Sequence, residues 1–236
     1  MNIMNIFDNK EKNQPHNRRA TDPKPVLRET VSYDMVNPII STYGLCTGSK
    51  IIEMEEAGLI DITGFDPNKV NPNSYNLSLG DDLIIYKAPN DKSLLHRIEK
   101  VFNPRKYAID CKKDNESEHI TIPKEGYLLK PGVLYLGKTK EFTTCSPAAN
   151  VVPMLDGRSS IGRLGIFVHI TAGFGDVGFC GNWTLEIMVV HPTIIYPGMD
   201  ICQISYYTIA GDPNIVYHGK YQNDKEIGTS KLHIEL

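Results

Sequence analysis

Between Gly44 and Thr208 the apolar residues come in short runs, most of them broken by glycine or proline before a long helix could form. The 19 glycines and 15 prolines of the chain supply many of these breaks. Strands joined by tight turns are the architecture that tolerates this punctuation. At 236 residues and 41% apolar content, a chain of this size buries roughly 70–75% of its unfolded surface and needs no covalent staples. Lys and Arg total 25 against 28 Asp and Glu, a net charge of −3. That balance argues against bulk nucleic-acid binding, which shows as a basic face. It leaves room for a small anion held by a few placed cations.

The five cysteines, Cys46, Cys111, Cys145, Cys180 and Cys202, are odd in number and form no Cys-x-x-Cys pair. They read as reduced thiols in a cytoplasmic protein, mainly packing residues. The opening MNIMNIFDNKEKNQPHNRRATDPKP has no apolar core, and Asp8, Glu11 and Asp22 argue against a transit peptide. No run reaches the ~18 apolar residues of a membrane span. Residues 1–43 read as an N-terminal extension, partly disordered. Residues 44–216 form the β domain and 217–236 a polar tail that ligand could order.

Within the body, Ser49 is the expected cap of a short helix, KIIEMEEAG, ended by Gly58. NLSLGDDLIIY reads as two strands in a hairpin around Gly80-Asp81. HITIPKEGYLLKPGVLYLGKTKEFTT carries three more, and Pro131-Gly132 suits the centre of a type II turn, as does Pro197-Gly198. FVHITAGF and NWTLEIMVV are β-branched and aromatic strand candidates. GRSSIGRLG is the one expected helical turn among them.

Several motifs fail on inspection. Gly44-Leu-Cys-Thr-Gly48-Ser-Lys50 is one residue short of a phosphate-binding loop, and Gly157-Arg-Ser159-Ser-Ile161 lacks the second glycine of a nucleophile elbow. His233-Ile234-Glu235 lacks the downstream cysteines of a zinc deaminase. The densest chemistry lies between Asp156 and Glu186. Arg158, Ser159 and Ser160 at the start of a helical turn could face an anion together, or form a capped, solvated surface turn. Arg163 falls about 140° round that turn from Arg158, so the two serve different directions. Alternation puts Glu186 on the face of Thr184 and Met188, opposite Leu185 and Ile187. It is either a solvent-facing charge on an edge strand or a partly desolvated proton carrier. His169 reads as a hydrogen-bonded structural histidine, and Trp183 and Phe179 as core.

In this order and spacing, FDPNKVNPNSYNLSLG, ITIPKEGYLLKPGVLYLG, GRSSIGRLG, TAGFGDVGF, TLE, PGMDICQISY and GKYQN resemble the dCTP deaminase branch of the dUTPase superfamily. The resemblance runs from about Gly44 to the C-terminus. It implies a mainly β fold, a distorted jelly-roll β-barrel of the dUTPase-like type with a short N-terminal helix. It also implies a homotrimer with sites between subunits. The implied reaction is zinc-independent deamination of dCTP to dUTP and ammonia, supplying thymidylate synthesis. Glu186 falls on the family's catalytic glutamate, Ser159 on the serine that holds the water, and Arg163 on the arginine that supports the reacting centre. Arg158, Ser160, Gln203, Tyr217, Lys220 and Tyr221 fall on triphosphate- or tail-contacting positions, Asp176 on a sugar contact, and Thr171 and Ala172 on the base-recognising stretch. The resemblance implies no protein metal site: Mg²⁺ comes with the triphosphate. dTTP is a candidate inhibitor.

The chain departs from the family pattern at Asn76 and Ser78, where an Asp and an Arg are usual, and at Gly175, Val177 and Cys180. Gly173-Phe174 resembles members that also split the phosphate chain, releasing dUMP and pyrophosphate. A bifunctional enzyme is therefore the first alternative. A non-catalytic nucleotide sensor that kept the pocket is the second, argued from Asn76 and Ser78.

Overall fold

A computed structural model describes residues 44–87, 101–169 and 171–236. The expectation for residues 1–43 lies outside these described residues. The chain enters through a helix, Gly48–Glu56, that buries Ile51 and Met54. Its cap is Thr47, two residues before the expected Ser49: the Thr47 hydroxyl accepts from the Lys50 N–H at 3.3 Å. Gly58 ends the helix as expected, at φ +65°.

The described residues form eleven strands in three sheets. The largest runs in the order β4 (Ser117–Thr121), β3 (Asp82–Tyr86), β6 (Tyr135–Cys145), β9 (Cys180–Val189), β8 (Ile166–Phe167), with β1 (Ile60–Ile62) also paired to β6. The second is β2 (Tyr75–Ser78), β11 (Asp200–Thr208), β7 (Val151–Gly157). The third is a pair, β5 (Tyr127–Leu129) with β10 (Thr193–Ile195). Every pairing between these strands is antiparallel. The expected mainly β fold with a short helix is present, but the described strands do not close into one barrel.

The inward face of β9 carries Trp183, Leu185, Ile187 and Val189, all buried with Leu79, Leu83, Ile204 and Tyr206 in one core cluster. Each such aliphatic side chain contributes about 1.5–3 kcal/mol on burial. The sequence expectation for Trp183 holds, and its indole N–H donates to Thr143 Oγ1 at 2.9 Å. All five cysteines are free thiols, with Cys46, Cys145 and Cys202 buried. Burial pushes the Cys145 thiol up to about 12, which keeps it protonated and unreactive.

Two expectations are corrected. The strands either side of Gly80-Asp81 are not a hairpin: β2 pairs with β11 while β3 pairs with β4 and β6. The chain crosses between sheets there, and a Cβ on Gly80 would stand 3.2 Å from Lys138. FVHITAGF is a strand only through Phe167. The segment from Thr171 turns away to lie against β7 instead. The turns at Pro131-Gly132 and Pro197-Gly198 form as expected, with glycine φ of +77° and +74°. No helix among the described residues is long and apolar enough to cross a membrane.

Candidate active site

Glu186 lies in the middle of β9, half-buried, on the face opposite Leu185 and Ile187 as the alternation predicts. β6 flanks β9 along one side, with Leu136 opposite Glu186, while β8 pairs with β9 only at Met188 and Val189, so Glu186 lies just beyond that second pairing. Thr171 Oγ1 donates to Glu186 Oε2 at 2.8 Å. The bond ties one carboxylate oxygen to Thr171 and so restricts the Glu186 rotamer. The carboxylate is thus oriented by the loop predicted to recognise the base.

That loop is held to β7 by its backbone. Leu155 N–H donates to the Gly173 carbonyl at 2.6 Å and Gly175 N–H to the Pro153 carbonyl at 2.8 Å. Both glycines are there for space. A Cβ on Gly173 would overlap the Leu155 carbonyl, and one on Gly175 would stand 2.6 Å from the Trp183 ring and 2.7 Å from Pro153. Thr171, Ala172 and Asp176 are exposed on this loop. His169 departs from expectation: neither ring nitrogen has a hydrogen-bond partner among the described residues.

At the end of β7 the chain makes the expected helical turn, Ser159–Gly162, with Arg158 as its cap and Arg163 at its far end. Ser159, Ser160 and Arg163 are exposed and make no hydrogen bond to Glu186. Arg158 turns inward, and its Nη1 donates to the Asp200 carbonyl at 2.9 Å on β11. Gln203 lies three residues along β11, and its Oε1 accepts from Ser74 Oγ at 3.0 Å. Among the described residues its amide nitrogen makes no hydrogen bond.

A buried polar network supports this end of the sheet. Glu141 is 6% exposed. It accepts from the Ser78 N–H at 2.8 Å, the Ser78 hydroxyl at 2.9 Å and Lys69 Nζ at 3.0 Å. Lys69 also pairs with Asp200 Oδ1 at 3.3 Å, while Asn76 Nδ2 donates to Asp200 Oδ2 at 3.2 Å. Desolvation acts to lower the Lys69 pKa, but Glu141 and then Asp200 outweigh it and hold the ammonium above its ordinary value. Sequence reasoning missed Lys69, Glu141 and Asp200. A signal existed for Glu141, since alternation along β6 groups it with buried Thr139 and Thr143.

The tail packs on its own chain. Asn182 N–H donates to the Asp224 carbonyl and Asn223 N–H to the Cys180 carbonyl, at 2.9 and 2.7 Å. Tyr217 stacks edge-on to Phe179 at 5.8 Å. Lys220 donates to Glu235 Oε1 at 2.6 Å, which raises its pKa, and both Lys220 and Lys231 lie over the Tyr221 ring. Of the predicted site residues, then, Thr171 and Glu186 touch directly. Arg158 and Gln203 share the β7–β11 end, and the three tail residues form a separate docked cluster.

A family model described as dCTP deaminase-like matches residues 45–209. A protein of Clostridium beijerinckii named "dCTP deaminase, dUMP-forming" is 46% identical over 189 residues, 80% of this chain and 96% of that one. One of Cytophaga hutchinsonii with the same name is 50% identical over 174 residues, 74% of this chain and 88% of that one. Among solved structures, the 2'-deoxycytidine 5'-triphosphate deaminase of Agrobacterium tumefaciens superposes with a TM-score of 0.51. At 18% identity, over 71% of this chain and 49% of that longer one, that likeness speaks for the fold alone. The Thr171–Glu186 pair, the GRSSIGRLG turn and the β7–β11 end all fall inside the matched span. By that match and these relatives, the chain belongs to the dCTP deaminase-like family.

Proposed function

We propose that this chain is a bifunctional dCTP deaminase that releases dUMP, ammonia and pyrophosphate. The observation that carries this reading is the name shared by relatives 46–50% identical across 88–96% of their length. It favours the alternative suggested by Gly173-Phe174 over an enzyme that stops at dUTP.

In the proposed deamination, Glu186 takes a proton from water as the oxygen attacks C4 of cytosine. It passes that proton to N3, and a second one to the amino group as ammonia leaves. Thr171 aims the carboxylate, and Ser159 and Arg163 attend the water and the reacting centre. Arg158, Ser160 and Gln203 hold the triphosphate, Asp176 the sugar, and Ala172 the base. Mg²⁺ arrives on the triphosphate as part of the substrate. A second water then displaces pyrophosphate from the α-phosphorus, so one dCTP and two waters give dUMP, ammonia and pyrophosphate.

The exposed positions of Ser159, Ser160 and Arg163 fit a homotrimeric jelly-roll in which a second copy completes each site. The enzyme so read works in the cytosol and supplies thymidylate precursors, with dTTP as a candidate inhibitor. Docking of Ile227 beside the Glu186 face supports Tyr217, Lys220 and Tyr221 belonging to a segment that closes over nucleotide. Against the sensor alternative we set the Lys69–Glu141 contact, which supplies a cation where Ser78 replaces an arginine.

The test is incubation of purified protein with dCTP and Mg²⁺, reading ammonia and separating the nucleotides. Equal amounts of ammonia and dUMP support the proposal. Accumulating dUTP restores the single-function reading, and absence of ammonia rejects deamination.

A further inference from the structure

We infer that Lys69 is a positioning residue that keeps the Arg158 guanidinium free for a triphosphate by holding the Asp200 and Glu141 carboxylates to itself. This rests on the reading of Arg158 as a triphosphate contact.

Pairing between β7 and β11 ends at Gly157 with Cys202, and the register of β11 against β2 shifts between Asp200 and Cys202. On the β7 side the Asp200 carbonyl is therefore left beyond the pairing, and Arg158 Nη1 donates to it at 2.9 Å. The Asp200 carboxylate is close by, with Oδ2 3.9 Å from the same Nη1. It is held off by other partners: Lys69 Nζ on Oδ1 at 3.3 Å and the Asn76 amide on Oδ2 at 3.2 Å. Lys69 reaches this point from the end of a short 3-10 turn, Pro67–Lys69, capped by the Asp66 side chain. The same ammonium bonds Glu141, whose side chain is 7% exposed.

Lys69 lies within 3.3 Å of both carboxylates, and among the described residues the Arg158 fork donates a hydrogen bond only through Nη1. Remove the Lys69 charge and Glu141, 7% exposed, loses its ammonium, while Asp200, 29% exposed, keeps only Arg158 at 3.9 Å as a cation. The nearest remaining cation is Arg158, and a bidentate Arg–carboxylate pair with Asp200 is the favoured outcome. The guanidinium would then be lost to an incoming phosphate. A lysine suits this task because it acts as a point charge reaching both carboxylates and Ser78 Oγ, which it contacts at 2.5 Å.

Lys69→Met is expected to raise KM for dCTP roughly tenfold with kcat within about twofold, since ground-state and transition-state binding fall together. Lys69→Arg should stay near wild type. Adding Asp200→Asn to Lys69→Met removes the carboxylate that captures Arg158 and should bring KM back to within about threefold. An unchanged KM in folded Lys69→Met, a fall in kcat alone, or a double variant no better than the single overturns the inference. Should Lys69→Met fail to fold, Asp200→Asn alone decides: affinity for inorganic tripolyphosphate, by calorimetry, should hold or tighten, and a clear loss rejects the idea. The calorimetric titration needs no turnover. A protein inert to dCTP whose tripolyphosphate affinity still falls in Lys69→Met loses the deaminase reading and keeps this one.

Discussion

Leu136 on β6 and Glu186 on β9 stand directly opposite each other, so their side chains share one face of the sheet. Ile227 of the tail is buried against Leu136 and Ile84 on that face. Two residues further along β6, Lys138 Nζ donates to the Lys225 carbonyl at 2.8 Å and to Glu226 at 3.0 Å. The proposed proton carrier and the docking point of the tail are therefore neighbours across one strand pair. Replacing Ile227 with Asp sets a charge against apolar Leu136 and should release the tail without opening the main core. We expect faster proteolysis after Tyr217, a melting temperature within a few degrees of wild type, and kcat/KM down about tenfold. Undiminished turnover with a cleaved tail would separate the tail from catalysis.

Glu186→Gln keeps the shape and the hydrogen bond from Thr171 but removes the base. Ammonia release should fall by about a hundred- to ten-thousandfold, the range expected for a lost general acid–base, while dCTP binding measured by calorimetry persists. Normal ammonia production by this variant would take Glu186 out of the mechanism.

Thr171 tests orientation apart from charge. Thr171→Ala loses the 2.8 Å bond to Glu186 and should lower kcat about tenfold, equivalent to ~1.4 kcal/mol. Thr171→Ser retains the donor and should recover most of the rate. Equal kcat for the two variants would show that the bond does not orient the carboxylate.

Glu55 offers a pH test remote from the site. One oxygen accepts from the Ile62 N–H at 3.3 Å while the other is buried with no hydrogen-bond partner among the described residues. Desolvation is the main cause that raises its pKa from 4.5 to about 7. The folded protein thus binds this proton more tightly than the unfolded chain does. The stabilisation is full below about pH 4.5 and is lost as pH rises through about 7. Allowing for contact with water, the loss is about 1–2 kcal/mol. Glu55→Gln should accordingly raise Tm by about 2–8 °C at pH 8 and change it little at pH 4.5. Equal shifts at both pH values in a scanning fluorimetry series would rule this origin out.

What was legible in the chain was local. The Gly and Pro breaks announced strands and turns, period-2 alternation put Glu186 opposite Leu185 and Ile187, and Gly58 marked the helix end. The motif order disclosed the family. These signals rest on backbone sterics and on one buried face, and both are written in neighbouring residues. Pairing partners were not legible. β2 and β3 are adjacent in sequence and read as a hairpin, yet each pairs with distant strands in a different sheet. Gly175 looked like a departure until the Trp183 ring was seen to occupy the space of its side chain. The charge system was hidden for the same reason. Lys69 and Glu141 are 72 residues apart and Asp200 lies farther still. Asn76 and Ser78 read as lost charge until folding brought an ammonium from another segment to Ser78 and Glu141. Sequence by itself determined which residues could form strands and turns, and on which face of its strand Glu186 lies. Tertiary structure alone decided which charges meet, because a buried carboxylate takes whichever cation the packing of distant strands brings within reach.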